Sequence, residues 1–336
     1  DRGHPIAASR SPLMAHTSKS APPSDGSVSR PPTAFEYGYD KSFRFLTFLA
    51  GLLIVVLLAY IFWKIGGQAA PAMRQYGLSF LTTVEWNPNT NEYGILAEIW
   101  GTLYSSLLAL IFGGGLGIAV AIFLTQGFLN ARLAWVFRLI VEMLAAIPSV
   151  VFGLWGIYVL IPAIRPIANW LHDTVPFIPF FSTKLAGPGM FPAMIVLSIM
   201  ILPTVAAISQ DAFKAIPMKI QEAAYGMGTT KWEAIRKVII PTASGGIFAS
   251  LVLGFGRALG ETMALAMLIG NSQQVSLSLF SPATTLASLL ASTFPEAGAN
   301  QIGPLMYAAV ALLVITMAVN IIGTIIMSYT SRQTVT

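Results

Sequence analysis

The sequence contains no cysteine. Disulfides, thiol nucleophiles and thiolate metal sites are thereby excluded. Histidine is scarce as well. His4, His16 and His172 are the only three, and none lies in an apolar run. Histidine-ligated metal chemistry at membrane depth is therefore excluded, and neither a metal nor a cofactor is expected. Charged residues make up 10% of the chain, against about 25% in an ordinary soluble domain. With 55% hydrophobic residues, the composition is that of a membrane protein. The net charge of +5 then bears on membrane orientation, and nucleic acid is not expected as a partner. No phosphate loop of the form G-x-x-x-x-G-K-[ST] occurs. "GFGRALG" at 254–260 lacks the lysine and the Ser/Thr pair, so this chain is not expected to hydrolyse ATP.

What the sequence does have is long apolar runs. They fall at 43–63, 99–125, 134–162, 190–210, 244–270 and 304–328, each roughly the 20 residues that cross a hydrocarbon core. The reading is an all-α, polytopic membrane protein with six transmembrane helices. Pro148 lies inside the third run and predicts a kink or break there. "GGGLG" at 113–117, with Gly254, Gly256 and Gly260, predicts close helix packing. Residues 1–40 are expected to be a disordered tail, rich in Ser and Pro at 14–34. Met14 is read as the natural start, with 1–13 outside the fold argument. The permease-like domain is then 41–336, with a core at about 98–328.

The basic residues orient these runs. Fourteen of the nineteen fall on one side if the N-terminus lies there, four on the other, and Arg257 within the membrane. The positive-inside rule then puts both termini in the cytoplasm. The loops 66–98, 164–189 and 271–303 lie outside.

The stretch between the fourth and fifth runs, "SQDAFKAIPMKIQEAAYGMGTTKWEAIRKVIIPTASGG", is too charged to span. Its pattern predicts a short helix from Pro217 to Gly226 or Gly228. A second helix is expected from about Thr230, with Trp232, Ile235 and Ile239 on one face and Pro241 closing it. The loop resembles the EAA loop of bacterial ABC importer permeases. Glu222, Ala223, Ala224 and Gly228 match its spacing, as does Pro241, while Val238 and Ile240 are conservative departures. The resemblance implies that the first helix couples the permease to a separate ATP-hydrolysing subunit, a helix-in-groove contact.

"LAAIPSVVFGLWG" (144–156), "GRALGETMA" (256–264), "EWNP" (85–88) and "GTLYSSLLAL" (101–110) resemble the Pst-type phosphate importer permeases, in their PstC-like rather than PstA-like form. The resemblance implies a subunit in the bacterial inner membrane that forms the translocation path with a second, PstA-like permease. Two PstB-like ATP-binding subunits would drive it. A periplasmic or lipid-anchored PstS-like phosphate-binding protein would feed it. A sulfate or molybdate permease shares the R-x-x-G-E core and is the rival within the class. A stand-alone secondary transporter would need no docking helices. A polytopic membrane enzyme would need a catalytic cluster that the sequence lacks, and no catalytic residue is assigned.

Arg257 and Glu261 are the ionisable residues of the fifth run. On a continuous helix they would share a face about 6 Å apart. Two readings stand. In one, Arg257 rests on Glu261 and binds the passing anion in transit, since its five donors suit phosphate oxygens. In the other, the pair only fixes packing. Arg138 and Glu142 have the same spacing but lie near a cytoplasmic end, where snorkelling gives a structural role.

Overall fold

Apolar length decides which helices this chain builds. The computed structural model describes residues 34–333. The tail expected to be disordered lies outside these residues up to position 33. Residues 34–40 are not tail: they open helix α1, Ala34–Tyr76. Up to Ala59, α1 is a helix with its apolar side chains outward, Phe43 and Phe48 being 68% and 67% exposed. Such a surface suits lipid and not water.

From Tyr60 onward the chain forms a helical bundle. The end of α1 leads into a two-stranded hairpin, β1 (Trp86–Asn87) and β2 (Glu92–Tyr93), in the register Trp86 opposite Tyr93. Besides a single turn at Ser79–Thr82, the α-helices that remain are α2 (Leu96–Thr125), α3 (Ala131–Ala146), α4 (Ser149–Thr174) and α5 (Met190–Lys214). Then follow α6 (Met218–Gly226), α7 (Lys231–Thr242), α8 (Ser244–Leu259), α9 (Met263–Leu268), α10 (Leu286–Thr293) and α11 (Ala299–Gln333). Five of them, α1, α2, α4, α5 and α11, are long and apolar enough to cross a membrane. A sixth crossing arises if α7 and α8, bent by 70° at their junction, count as one. Counted so, the number agrees with the six-span expectation, though this crossing covers 231–259 and not the expected 244–270.

The third span differs from its expected limits. It was expected at 134–162 with a kink or break at Pro148, and a break is what forms: Pro148 divides the run. Ile147 is extended (ψ 126°), α3 has ended, and α4 begins at Ser149 with Pro148 as its cap. Proline disfavours the helical region for the residue before it and cannot donate to the turn behind. The crossing helix is thus α4, which runs to Thr174 and takes the first part of the expected 164–189 loop. Pro241, expected to close a helix, is the last residue but one of α7. The bend falls two residues later, at Ala243 (φ −85°, ψ 0°).

The core sits between α2, α4, α5, α8 and α9, around Leu197, Met200, Ile201, Ala258 and Leu268. Small residues bring backbones together there, as expected from the glycine pattern. A Cβ on Gly113 would collide with the Ser198 backbone, and one on Gly117 would lie 2.9 Å from Val205. Gly254 packs on the same Val205, at 2.7 Å. At one end of the bundle Phe213 and Ile216 meet Ile235 and Ile239 of α7. At the other, Phe80, Trp86, Tyr93 and Ile95 pack with Leu286 and Leu305. Phe80 stacks on Tyr307 with ring centroids 4.4 Å apart.

Candidate functional site

The fifth apolar run is broken where Arg257 and Glu261 lie. α8 ends at Leu259, and Gly260 (φ −94°, ψ 0°) leaves the helix. Glu261 and Thr262 are irregular, and α9 starts at Met263. The expected shared helical face is therefore not formed, and no ion pair joins Arg257 to Glu261 among the described residues. The local chemistry explains the break. Glycine is a weak helix former. Glu261 and Thr262 both bond to nearby backbone: the Glu261 carboxylate accepts from Ala264 N–H at 3.3 Å, and the Thr262 hydroxyl donates to Gly260 C=O at 3.1 Å. Such local bonds compete with helix continuation. Gly260, expected as a packing glycine, has only backbone oxygens of its own helix end near its Cβ position.

Arg257 occupies the last turn of α8, where a cation complements the helix dipole. It is exposed and donates to Thr204 Oγ of α5 at 3.4 Å. Glu261, half-buried, caps α9. The two residues thus serve different elements. Irregular backbone at membrane depth is tolerated where protein buries it or where it lines a cavity. Broken helices in transporters present their helix ends and unwound backbone to ions. The chemistry available at the break is a guanidinium that makes one hydrogen bond among the described residues.

The second group of predicted residues lies on α6 and the turn after it. The fold here is close to the sequence expectation. Pro217 caps α6, and Gly228 adopts φ +81° in the turn. Gly228 N–H donates to Tyr225 C=O at 2.9 Å, and the Thr229 hydroxyl to Ala224 C=O at 2.8 Å. Thr230 and Glu233 close a reciprocal capping box at the start of α7. Ala224 is buried, while Glu222 and Ala223 are exposed. The outer surface of this elbow also carries Met218, Tyr225 and Met227, the two methionines more than 70% exposed. Ile235 and Ile239 are fully buried as their spacing predicted, but Trp232 is 61% exposed and does not share their face.

Several residues at these sites were not legible in the sequence. Lys231 anchors the elbow by donating to Gly127 C=O at 2.8 Å and lying 4.2 Å from the centre of the Phe128 ring. Thr204, the partner of Arg257, carries no sequence signal. Glu98 in the first turn of α2 is wholly buried with neither carboxyl oxygen hydrogen-bonded. Its charge gave a signal, but its placement at the edge of an apolar run hid the burial. No group of three or more acidic or histidine side chains among the described residues could hold a metal ion.

Comparison with known proteins agrees with this architecture. Residues 113–335 match the family described as "Binding-protein-dependent transport system inner membrane component". The chain is 40% identical over 292 residues to the phosphate transport system permease protein PstC of Haemophilus influenzae, covering 84% of this chain and 91% of that one. It is 40% identical over 267 residues to the PstC of Mesorhizobium japonicum, covering 77% and 80%. A probable PstC of Methanocaldococcus jannaschii is 35% identical over 284 residues, covering 82% and 88%. Among solved structures, a bacterial ABC transporter involved in alginate import has a chain of the same fold. Its TM-score is 0.58 at 17% identity, covering 87% of this chain and 98% of that one. Family match, relatives and bundle agree: the chain belongs to the binding-protein-dependent transport system inner membrane components, and within them to the PstC permeases.

Proposed function

We infer that this chain is a transmembrane permease subunit of an ATP-driven phosphate importer. The observation that carries the reading is the similarity to PstC permeases over more than four-fifths of the chain. The site chemistry supports it. In this reading Arg257, at a helix break, is the anion contact in the translocation path. Arginine's planar fork suits tetrahedral oxyanions. Glu261 lines the same break and holds its shape through the α9 cap, in place of the resting ion pair expected from the sequence. Among the described residues the cation at the end of α8 is held by one long bond to Thr204, and it can release that bond as an anion arrives.

The α6 elbow is proposed as the coupling element, with Glu222, Ala223, Ala224 and Gly228 at its centre. Its exposed Met218, Tyr225 and Met227 suit a groove on an ATP-binding subunit. Two such subunits, a second PstA-like permease and a PstS-like phosphate-binding protein complete the importer. ATP hydrolysis belongs to the ATP-binding subunits. The membrane is the bacterial inner membrane, with both termini and the elbow on the cytoplasmic side. The test is reconstitution of the whole importer in liposomes with ATP inside, measuring uptake of phosphate, sulfate and molybdate with their binding proteins. Phosphate uptake dependent on this chain and on ATP is expected. Uptake of sulfate or molybdate in its place would overturn the assignment.

A further inference from the structure

Arg138 and Glu142, read from the sequence as a snorkelling pair, stand on the wall of a cleft of about 310 Å³ between α3 and α5. Thr204, Gln210, Asp211 and Lys214 of α5 also line it. Thr204, Asp211 and Lys214 fall at helical spacing along one face. From Thr204 to Lys214 the helix rises about 15 Å. At one end of the cleft is the same Thr204 that accepts from Arg257. At the other is Lys214, where α5 ends and the chain turns towards α6. The cleft therefore leads from Arg257 towards the α6 end of the bundle.

The donors in it are poorly used. Arg138 forms no ion pair or hydrogen bond among the described residues, and its Nε is buried without a partner. Glu142 lies one turn further along α3, but an arginine placed N-terminal to its carboxylate is the less favourable order, and no contact forms. Gln210 is 4% exposed, and its amide has no hydrogen-bond partner among the described residues. Lys214 is already held by Asp211 at 3.2 Å. Two cations face two carboxylates, so the cleft has no net charge. Attraction for an anion would come from oriented donors and not from a strong field. That suits brief occupancy and release.

We propose that this cleft is a second oxyanion site on the release side of Arg257, with Arg138 as its anion-binding group and Gln210 and Thr204 as further donors. The proposal rests on the phosphate-importer reading, which makes the ligand inorganic phosphate. Thr204 touches both sites and gives the anion a stepping point between them. The phosphate of an anionic lipid headgroup offers Arg138 the same chemistry. Continuity with Arg257 favours the transported ion.

The test uses the complete importer in liposomes, with and without anionic lipid, and measures phosphate uptake. Arg138→Gln removes one charged donor and is expected to lower uptake about 10- to 100-fold, with the complex still co-purifying intact. Arg138→Lys is expected to recover part of the loss. Glu142→Gln is expected to lower the apparent KM and slow turnover, because it removes the charge that helps eject the anion. If Arg138 and Glu142 were only a structural pair, the double neutral variant would recover uptake; it is expected to stay low. Wild-type uptake by Arg138→Gln, with Arg257→Gln inactive, would overturn the second site and leave the importer reading standing. No phosphate uptake by the unaltered complex would overturn both. An Arg138 effect seen only with anionic lipid would assign the cleft to a headgroup and overturn the proposal.

Discussion

Gly228 offers a test in which sterics and backbone conformation separate. Its φ is +81°, and a Cβ added there would meet nothing within 4 Å. Gly226, two residues earlier at the end of α6, also has open space around its Cβ position, but its φ lies outside the left-handed range. Alanine at either site is therefore free of collisions. At 228 it must adopt a left-handed conformation, which costs about 1–2 kcal/mol. That lowers the population of the native turn by a factor of about 5 to 30. At 226 alanine removes a flexible residue from the last position of a helix and gains about 0.5–1 kcal/mol. Gly228→Asn should cost less than Gly228→Ala, because asparagine tolerates the left-handed region. The assay is affinity of the purified permease pair for its ATP-binding subunits, read beside ATP-driven uptake. Gly228→Ala should weaken both about 5- to 30-fold, Gly228→Asn less, and Gly226→Ala neither. Equal affinity for Gly228→Ala and the wild type would refute the claim that this turn sets the docking geometry. So would equal harm from Gly226→Ala.

The absence of an Arg257–Glu261 ion pair changes what the double variant should do: Arg257→Gln with Glu261→Gln is expected to assemble and stay inactive, and phosphate uptake near the wild-type rate would remove Arg257 from the path. Glu261→Gln alone weakens only a cap, worth about 0.3–1 kcal/mol for the charge, and should retain most uptake. Thr204→Val keeps the volume and removes the Arg257 acceptor; a few-fold fall in uptake is expected, and a loss as complete as in Arg257→Gln would show that Thr204 itself is indispensable. Glu98→Met should raise thermal stability by about 1–3 kcal/mol, because it removes buried acceptors that have no partner; a lower unfolding midpoint would mean that the carboxyl is satisfied in the assembled importer. With no native cysteine, Thr90→Cys and Thr174→Cys should react with an impermeant thiol reagent added outside intact cells. Thr230→Cys should not, and its labelling would invert the proposed orientation.

The sequence made the α6 elbow legible because local rules govern it. Pro217 at a helix start, Gly228 in the turn and Thr230 at the start of α7 act through their own backbone neighbourhood. The break at Gly260 was not read, although glycine followed by Glu261 and Thr262 is a capping signal. Apolar periodicity on both sides of it masked the signal, since hydropathy responds to composition and not to continuity. At Pro148 the proline did mark the interruption, but the same weakness set the third span at 134–162 where the crossing helix is Ser149–Thr174. The partners of charged residues were beyond reach for another reason. Thr204 meets Arg257, and Gly127 meets Lys231, across long sequence separations. Spacing along one helix says nothing of them. Burial of Glu98 is likewise a property of the assembled bundle.

The glycines of α2 and α8 have a mechanical consequence. Gly113 and Gly117 seat α2 against Ser198 and Val205, and Gly254 seats α8 on that same valine. Where a side chain would already overlap, neither axial sliding nor rolling has slack. The three helices are then expected to move as one block, with any alternation between open states hinged at its borders. Among the described residues, the bend at Ala243 and the break at Gly260–Thr262 border it on α8, and Ile147–Pro148 divides α3 from α4 outside it. A disulfide between cysteines placed on α2 and α5 should leave turnover intact, whereas one bridging α3 to α5 should arrest it.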